Sequence, residues 1–350
     1  MVLRIVRGQN LPIGVDLGSS ALKMVQLRRV NEELTLIDAC TAALPETGDD
    51  LDARLEAQAD AIRRMLRARQ FKGRTCILSV PARDTLVQHV KIPKLAQQEL
   101  ETAIAGELAG KLPYPPEQAI IRHAVLGETH AQAEPMIEVL TVSMSRELMD
   151  AYLAMTGRAK LDVVGVGIEC CAIVECFARL FRRASERTRT VLLVDVGAHS
   201  TQVALAQGGT MRFARNLAMG CDDLDESLGK TLGVDATEAA RLRRAAPAGE
   251  DGDPKLQQAL DASLARLSRE LTQCLRYYES VFLAPAVERV MIVGGGAADA
   301  RLCQSLGRQL NLPASEGDPL VRVRRRSDQA ASPQPDWAVA VGLSLGADAN

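Results

Sequence analysis

The chain has 350 residues, of which 47% are hydrophobic, 25% charged and only 3% aromatic, enough for two globular domains with aliphatic cores. A formal net charge of -2 gives no long-range pull toward nucleic acid or an anionic membrane, so neither is expected as a direct partner. No apolar run approaches the ~20 residues of a membrane span, and residues 1–10 lack the apolar stretch of a signal peptide, so a cytosolic protein is expected.

The N-terminal segment predicts three strands, at residues 11–17, 21–29 and 33–44, each apolar or alternating. A helix follows, with Leu51, Leu55, Ala59, Ile62 and Leu66 recurring at steps of four and three and Gly73 just past its end. Residues 75–80 read as a short buried strand closed by Pro81. Residues 82–160 then read as a small α/β insertion. It holds a strand at 87–92 and a helix after Pro93 with Leu100, Ile104, Leu108 and Leu112 on one face. Pro113, Pro115 and Pro116 stop that helix. Strands at 120–126 and 136–144 and a helix at 146–155 complete the insertion.

The apolar, helical stretch at 168–177 carries Cys170, Cys171 and Cys176. With no C-x-x-C pair and four scattered histidines, the eight cysteines are expected to be reduced, buried small hydrophobes and not metal ligands. After residue 190 the opening pattern returns: strands at 191–196 and 200–207, a Gly208-Gly209 hairpin turn and a strand at 211–217. Helices are predicted at 222–232 and 237–244, then a Pro/Gly/Asp-rich loop at 245–254. One long amphipathic helix runs from Leu256 to Tyr278, its leucine stripe too short for a coiled coil. A strand at 290–293 leads into Gly294-Gly295-Gly296 and a helix at 299–310. The duplication predicts two lobes of common architecture. Residues 1–81 and 161–189 form the first lobe, with 82–160 inserted; 190–232 and 285–350 form the second, with 233–284 inserted.

The chemistry lies in the turns. In Ile13-Gly14-Val15-Asp16-Leu17-Gly18-Ser19-Ser20-Ala21-Leu22-Lys23 an apolar strand delivers Asp16 to a turn of small residues. Such a turn aims backbone N–H groups at one place and lets phosphate oxygens approach closely. A carboxylate beside phosphate implies an intervening cation, hence Mg²⁺ held through water by Asp16. Lys23 can reach a β- or γ-phosphate as a point charge. Val194-Asp195-Val196-Gly197-Ala198-His199-Ser200-Thr201 repeats the device, and the two turns are expected to face each other across a cleft holding triphosphate and Mg²⁺. The β-run ending in Gly294, Gly295 and Gly296 supplies bare backbone and a helix N-terminus for an α-phosphate and adenosine.

This ordered set of motifs resembles the phosphate-1, phosphate-2 and adenosine motifs of the actin-like ATPase superfamily, which includes actin, sugar kinases and FtsA. The implied fold is α/β, a two-lobed actin-like (ribonuclease H-like) ATPase fold with a small inserted subdomain in each lobe. Within that superfamily the chain is most similar to the PilM family of type IV pilus assembly. The similarity includes Ser79-Val80-Pro81, Ile92-Pro93, Glu99-Leu100, the Glu107 helix, Leu112-Pro113-Tyr114, Phe213-Ala214-Arg215 with Gly220, Tyr277-Tyr278, Gly317-Asp318-Pro319-Leu320 and the closing helix at 338–343. The family's Ala-Glu-x-x-Lys is here Ala239-Ala240-Arg241-Leu242-Arg243, with alanine for the acid and Arg243 for the lysine that faces nucleotide.

The resemblance implies a cytoplasmic, ATP- and Mg²⁺-binding docking protein at the cytoplasmic face of the inner membrane, peripheral to it through its partner. Hydrolysis is expected to be weak or absent. The implied partner is the N-terminal tail of a PilN-like membrane protein, seated in a groove between the first lobe and its insertion. Val90, Ile92, Leu108, Leu112 and Tyr114 are the candidate groove residues, with core packing the alternative for each leucine. Two other readings stay open. A small-molecule kinase needs a general base, for which Asp84 and Glu169 are candidates. An actin-like filament needs self-association. Arg322, Arg324, Arg325 and Arg326 form a basic cluster, either a solvated loop or a contact with anionic lipid.

Overall fold

The computed structural model describes residues 8–129, 135–181, 186–247, 253–282, 286–325 and 332–346. Residues 1–7, residues 248–252 of the 245–254 loop and Arg326 lie outside them. The chain opens with strands β1 (Gln9–Leu17), β2 (Ala21–Val30) and β3 (Glu33–Ala43), helix α1 (Leu51–Ala68) and strand β4 (Thr75–Ser79). Next come β5 (Leu86–Pro93), α2 (Gln97–Leu108), β6 (Ala119–Thr129), β7 (Met136–Ser145) and α3 (Arg146–Arg158). Strand β8 (Asp162–Gly167), helix α4 (Glu169–Ala178) and strands β9 (Thr190–Val196), β10 (Thr201–Gln207) and β11 (Thr210–Leu217) follow. Helices α5 (Cys221–Leu232), α6 (Ala236–Ala245) and α7 (Pro254–Phe282) precede β12 (Arg289–Val293) and α8 (Ala300–Leu310). Short strands β13 (Ala314–Glu316) and β14 (Val323–Arg324) and helix α9 (Ala338–Leu345) close the chain.

The duplication is real. One sheet runs β14-β3-β2-β1-β4-β8 and another β11-β10-β9-β12-β13. In each, the first strand of the motif is antiparallel to the second and parallel to the fourth, β1 with β2 and β4, β9 with β10 and β12. The inner strand β9 is apolar on both faces because both are covered: the consecutive residues Val191, Leu192, Leu193 and Val194 are at most 1% exposed.

Contacts divide the chain into two units: residues up to Pro81, Ala151–Arg179 and from Gly317 onward, against Ala82–Asp150 and Leu180–Glu316. This differs from the expected division twice. Residues from Gly317 onward join the first unit, because α9 packs on β1 and α4. The closeness needs bare backbone. A Cβ on Gly14 would fall 1.9 Å from Ala340 O, and one on Gly342 would fall 1.8 Å from Ala172 O. Ser344 Oγ, the one hydroxyl on this otherwise apolar helix, donates to Pro12 O at 2.8 Å. The insertion strands, in turn, contact β11 of the second unit. Two local expectations also change. Helix α2 ends at Leu108, where Gly110 takes a φ of +78°, so Leu112 lies beyond the helix. Strand β8, absent from the sequence reading, pairs parallel to β4 through a Gly-interrupted run, Asp162-Val163-Val164-Gly165-Val166-Gly167.

Gly14→Ala and Gly342→Ala should each destabilise the first unit by about 1–3 kcal/mol through overpacking, read from denaturant unfolding of the full chain. A loss below about 0.5 kcal/mol, the range of ordinary surface changes, would contradict the backbone-to-backbone packing of α9.

Candidate functional site

Asp16, near the end of β1, is 4% exposed. Its register partner on β2 is Lys23, and on β4 it is Ser79. Lys23 Nζ donates to Asp16 Oδ2 at 3.1 Å and Ser79 Oγ to Oδ1 at 3.2 Å. The carboxylate is therefore held from both neighbouring strands, and Lys23, expected to reach a phosphate, is engaged on Asp16. The turn is tight: a Cβ on Gly18 would meet Ala21 O at 2.5 Å. Ser19 is half-buried, Ser20 exposed, and the Ser20 carbonyl accepts from Leu44 N at 2.9 Å. A second carboxylate, Asp336, stands close enough to feel both charges. Burial raises its pKa, opposed by Lys23 and by its bond from Thr41 Oγ1, while Asp16 adds to the rise.

The second turn also brings a glycine close to a carbonyl three residues on. Gly197 N donates to Ser200 O at 2.9 Å, and a Cβ on Gly197 would fall at the same distance from that oxygen. Helix α5 begins against the turn. Cys221 N donates to Gly197 O and Asp222 N to Ala198 O, and Gly220 is needed because a Cβ would lie 2.3 Å from Ala198 O. His199 Nδ1 pairs with Asp222 Oδ2 at 2.6 Å on the outer side. Among the described residues the N–H groups of Ala198 and His199 have no backbone acceptor, the arrangement that suits an anion.

Asp195 is half-buried beside the glycine run. Gly294 has a φ of +81°, and a Cβ there would fall 2.0 Å from Asp195 Oδ1. On Gly296 it would meet Val196 Cγ1 at 2.7 Å. Only Gly295 is exposed with nothing within 4 Å of a Cβ. Two of the three glycines thus serve internal packing, and one leaves backbone open.

Gln202, which the sequence reading missed, sits opposite Asp195 in the β9–β10 register, so the two side chains share a face about 5 Å apart. Its Nε2 donates to Ser200 Oγ at 3.0 Å, and its buried Oε1 has no partner among the described residues. Counting back from the turn locates it, as the same count pairs Lys23 with Asp16. A carboxylate beside an orphaned amide oxygen fits hydrated Mg²⁺, which prefers oxygen ligands and keeps several waters. Among the described residues no group of three or more His, Cys, Asp or Glu could hold a metal directly.

Arg243 has a different task from the one expected. It is 3% exposed, its Nε and Nη2 donate to the two oxygens of Asp225 at 2.7 and 3.0 Å, and Nη1 donates to Asp299 Oδ2 at 3.2 Å. Burial works against the charged guanidinium, but the Asp225 bonds and charge outweigh it and the pKa is raised. Asp299 also caps α8, accepting from Leu302 N at 3.0 Å. That helix N-terminus, expected to receive phosphate, is thus already satisfied by its own cap.

The docking residues need correction as well. Val90, Ile92 and Leu108 are 4%, 1% and 0% exposed, in one core with Leu100, Ile104, Ile137 and Val139. Alternating β5 side chains meet the apolar face of α2 there, so none of the three is offered to a partner. Leu112 and Tyr114 are half-buried. The insertion instead has a groove of about 350 Å³ between α2 and β6, lined by Glu101, Ile104, Ala105, Ile121, Arg122 and His123. Of the kinase candidates, Asp84 ends a short 3₁₀ turn and Glu169 begins α4. In the basic cluster, Arg325 pairs with Asp318 at 2.9 Å and Arg324 with Glu33 at 3.5 Å, which neutralises much of it. Seven cysteines are buried and Cys171 is exposed; burial pushes the Cys221 thiol up to about 11.

Residues 14–347 match the family described as type IV pilus assembly protein PilM. The chain belongs to the PilM family. Its fold is similar to that of a PilM–PilN type IV pilus biogenesis complex, at 23% identity over 95% of this chain and 97% of that one, with a TM-score of 0.79. It is also similar to the ethanolamine utilization protein EutJ of Carboxydothermus hydrogenoformans, at 13% identity over 98% and 92%, TM-score 0.54. MreB5 of Spiroplasma citri bound to ADP matches at 11% identity over 98% and 97%, TM-score 0.50. The fold of this PilM-family chain is actin-like. No helix among its described residues is long and apolar enough to cross a membrane.

In this PilM-family chain Arg243→Met should cost about 3–5 kcal/mol of stability, because it strands two buried carboxylates; unchanged unfolding would return Arg243 to a surface role. Gly295→Ala should change stability by less than about 0.5 kcal/mol, whereas Gly294→Ala, with φ positive and Asp195 in the way, should fail to reach wild-type stability in the same unfolding experiment.

Proposed function

We propose that this type IV pilus assembly protein binds ATP with Mg²⁺ through its two Asp turns and docks the N-terminal tail of a PilN-like inner-membrane protein in a nucleotide-sensitive way. The observation that carries the nucleotide reading is the Asp195 carboxylate resting on the Cβ-free Gly294, with the orphaned Gln202 Oε1 opposite. Asp16 and Asp195 each hold Mg²⁺ through water, and Gly18, Ser19, Ser20, Gly197 and Ala198 cradle phosphate. Lys23, held by Asp16 at 3.1 Å, would supply a positive charge to phosphate once Mg²⁺ is bound at the turn. Gly295 offers the open backbone to the nucleotide. Hydrolysis is weak or absent, in keeping with Ala240 in place of the family's acid and with Arg243 locked to Asp225 and Asp299.

Docking takes place on the insertion, in the groove between α2 and β6, where Ala105 and Ile121 supply apolar contact and Glu101, Arg122 and His123 polar contact. The protein acts at the cytoplasmic face of the inner membrane, held there by its partner. Asp16→Ala and Asp195→Ala should each abolish Mg²⁺-dependent ATP binding measured by calorimetry; wild-type affinity in both would refute the turns as the site. Tail peptides of the bitopic partner should be retained by the full chain more strongly with one nucleotide state than without nucleotide. Ile121→Glu should lose that retention while the chain stays folded, and full retention would move the docking surface elsewhere.

A further inference from the structure

A buried polar cluster fastens the insertion sheet to β11 and α7, and neither phosphate binding nor docking uses it. His89, on β5, presents Nδ1 to Glu138 Oε1 and Nε2 to Ala214 O, each at 2.9 Å. Both partners are acceptors, so both ring nitrogens must carry protons for both contacts to be hydrogen bonds. A neutral ring would set a lone pair against one acceptor. The Ala214 N–H also lies near Nε2, but at 3.5 Å, beyond the ordinary N–H···N range.

The surroundings favour the cation. Glu138 is 0% exposed, and an ionised carboxylate at that depth is costly unless paired and hydrogen-bonded. Tyr277 Oη donates to the same Oε1 at 2.6 Å; burial, then the bond and charge of Glu138, push its phenol well above the ordinary range, so it stays a donor. Glu138 Oε2 has no partner among the described residues. The imidazole stacks on Phe213, with centroids 4.7 Å apart and planes at 23°, and meets the Tyr277 ring edge at 5.6 Å. The other charges nearby are engaged elsewhere. Lys91 Nζ lies 5.9 Å over the Tyr277 ring, Arg212 Nη1 donates to Leu126 O on β6 at 2.9 Å, and Arg215 pairs with Glu270 of α7 at 3.3 Å.

We infer that His89 is held as an imidazolium and that His89, Glu138 and Tyr277 form a charged latch tying the insertion to β11 and α7. With both ring nitrogens protonated, His89 donates to Glu138 Oε1 and to Ala214 O and the latch is complete. The inference does not depend on nucleotide or partner, so it stands or falls separately from the proposed function.

Nitrogen NMR of the full wild-type chain with labelled histidine tests it directly. Both ring nitrogens of His89 should give the signals of protonated nitrogens in the folded chain near neutral pH. A ring with one unprotonated nitrogen would overturn the latch. Amide exchange should corroborate it: His89→Gln and Glu138→Gln should each speed exchange across β5 and β7 about tenfold or more, as for a lost charge-assisted hydrogen bond. Wild-type protection in both variants would overturn the inference.

Discussion

Asp195 Oδ1 occupies the place that a side chain at position 294 would need, 2.0 Å from where its Cβ would stand. Much of the second unit follows from that one exclusion. It requires glycine at 294, and the left-handed φ there turns the chain from β12 away from the strand ends. It also brings Val196 against Gly296 and Cys221 against the same glycine, so the turn, the glycine run and the start of α5 share one small volume. The first unit solves the related problem with other contacts. There Gly18 passes Ala21 O at close range, and Lys23 and Ser79 hold Asp16 from its two neighbouring strands. The two turns share a close glycine-to-carbonyl approach and differ in how the carboxylate is held.

The same economy of space explains why charged residues near these turns have structural duties. Arg243 joins α6 to α5 and to the cap of α8, so the helical subdomain and the glycine-run helix are coupled through one guanidinium. Arg212 and the His89 cluster do similar work between the insertion and β11. A buried guanidinium with three satisfied nitrogens resists removal far more than it adds net stability, and such a group fixes geometry better than a flexible surface pair would.

The duplicated strand-turn-strand unit was legible in the sequence because apolar runs ending in Asp-x-Gly turns recur, and that repetition exposed Asp16 and Asp195 together. The roles of Arg243, Val90, Ile92 and Leu108 were not. A residue type at the right spacing does not say which way its side chain points, and a strand facing an amphipathic helix buries its alternate residues against that helix whatever family they belong to. Gln202 escaped notice because its significance lies in a cross-strand register and not in a motif. Strand β8 escaped because two glycines broke its alternation, while Val164 and Val166 remain on its exposed side. That residues from Gly317 onward share contacts with the first unit was not legible, because the bare-backbone approach of Gly342 to Ala172 O leaves no sequence pattern beyond a glycine.

The central claim is that the two carboxylate turns make this PilM-family chain a Mg²⁺-dependent nucleotide binder. Titration of the wild-type chain with ATP, followed by calorimetry with Mg²⁺ and again with the metal chelated, tests it most directly. The account predicts saturable binding of one nucleotide per chain with Mg²⁺ and a loss of most of that affinity without it. Binding of equal strength in both conditions, or none in either, would contradict it.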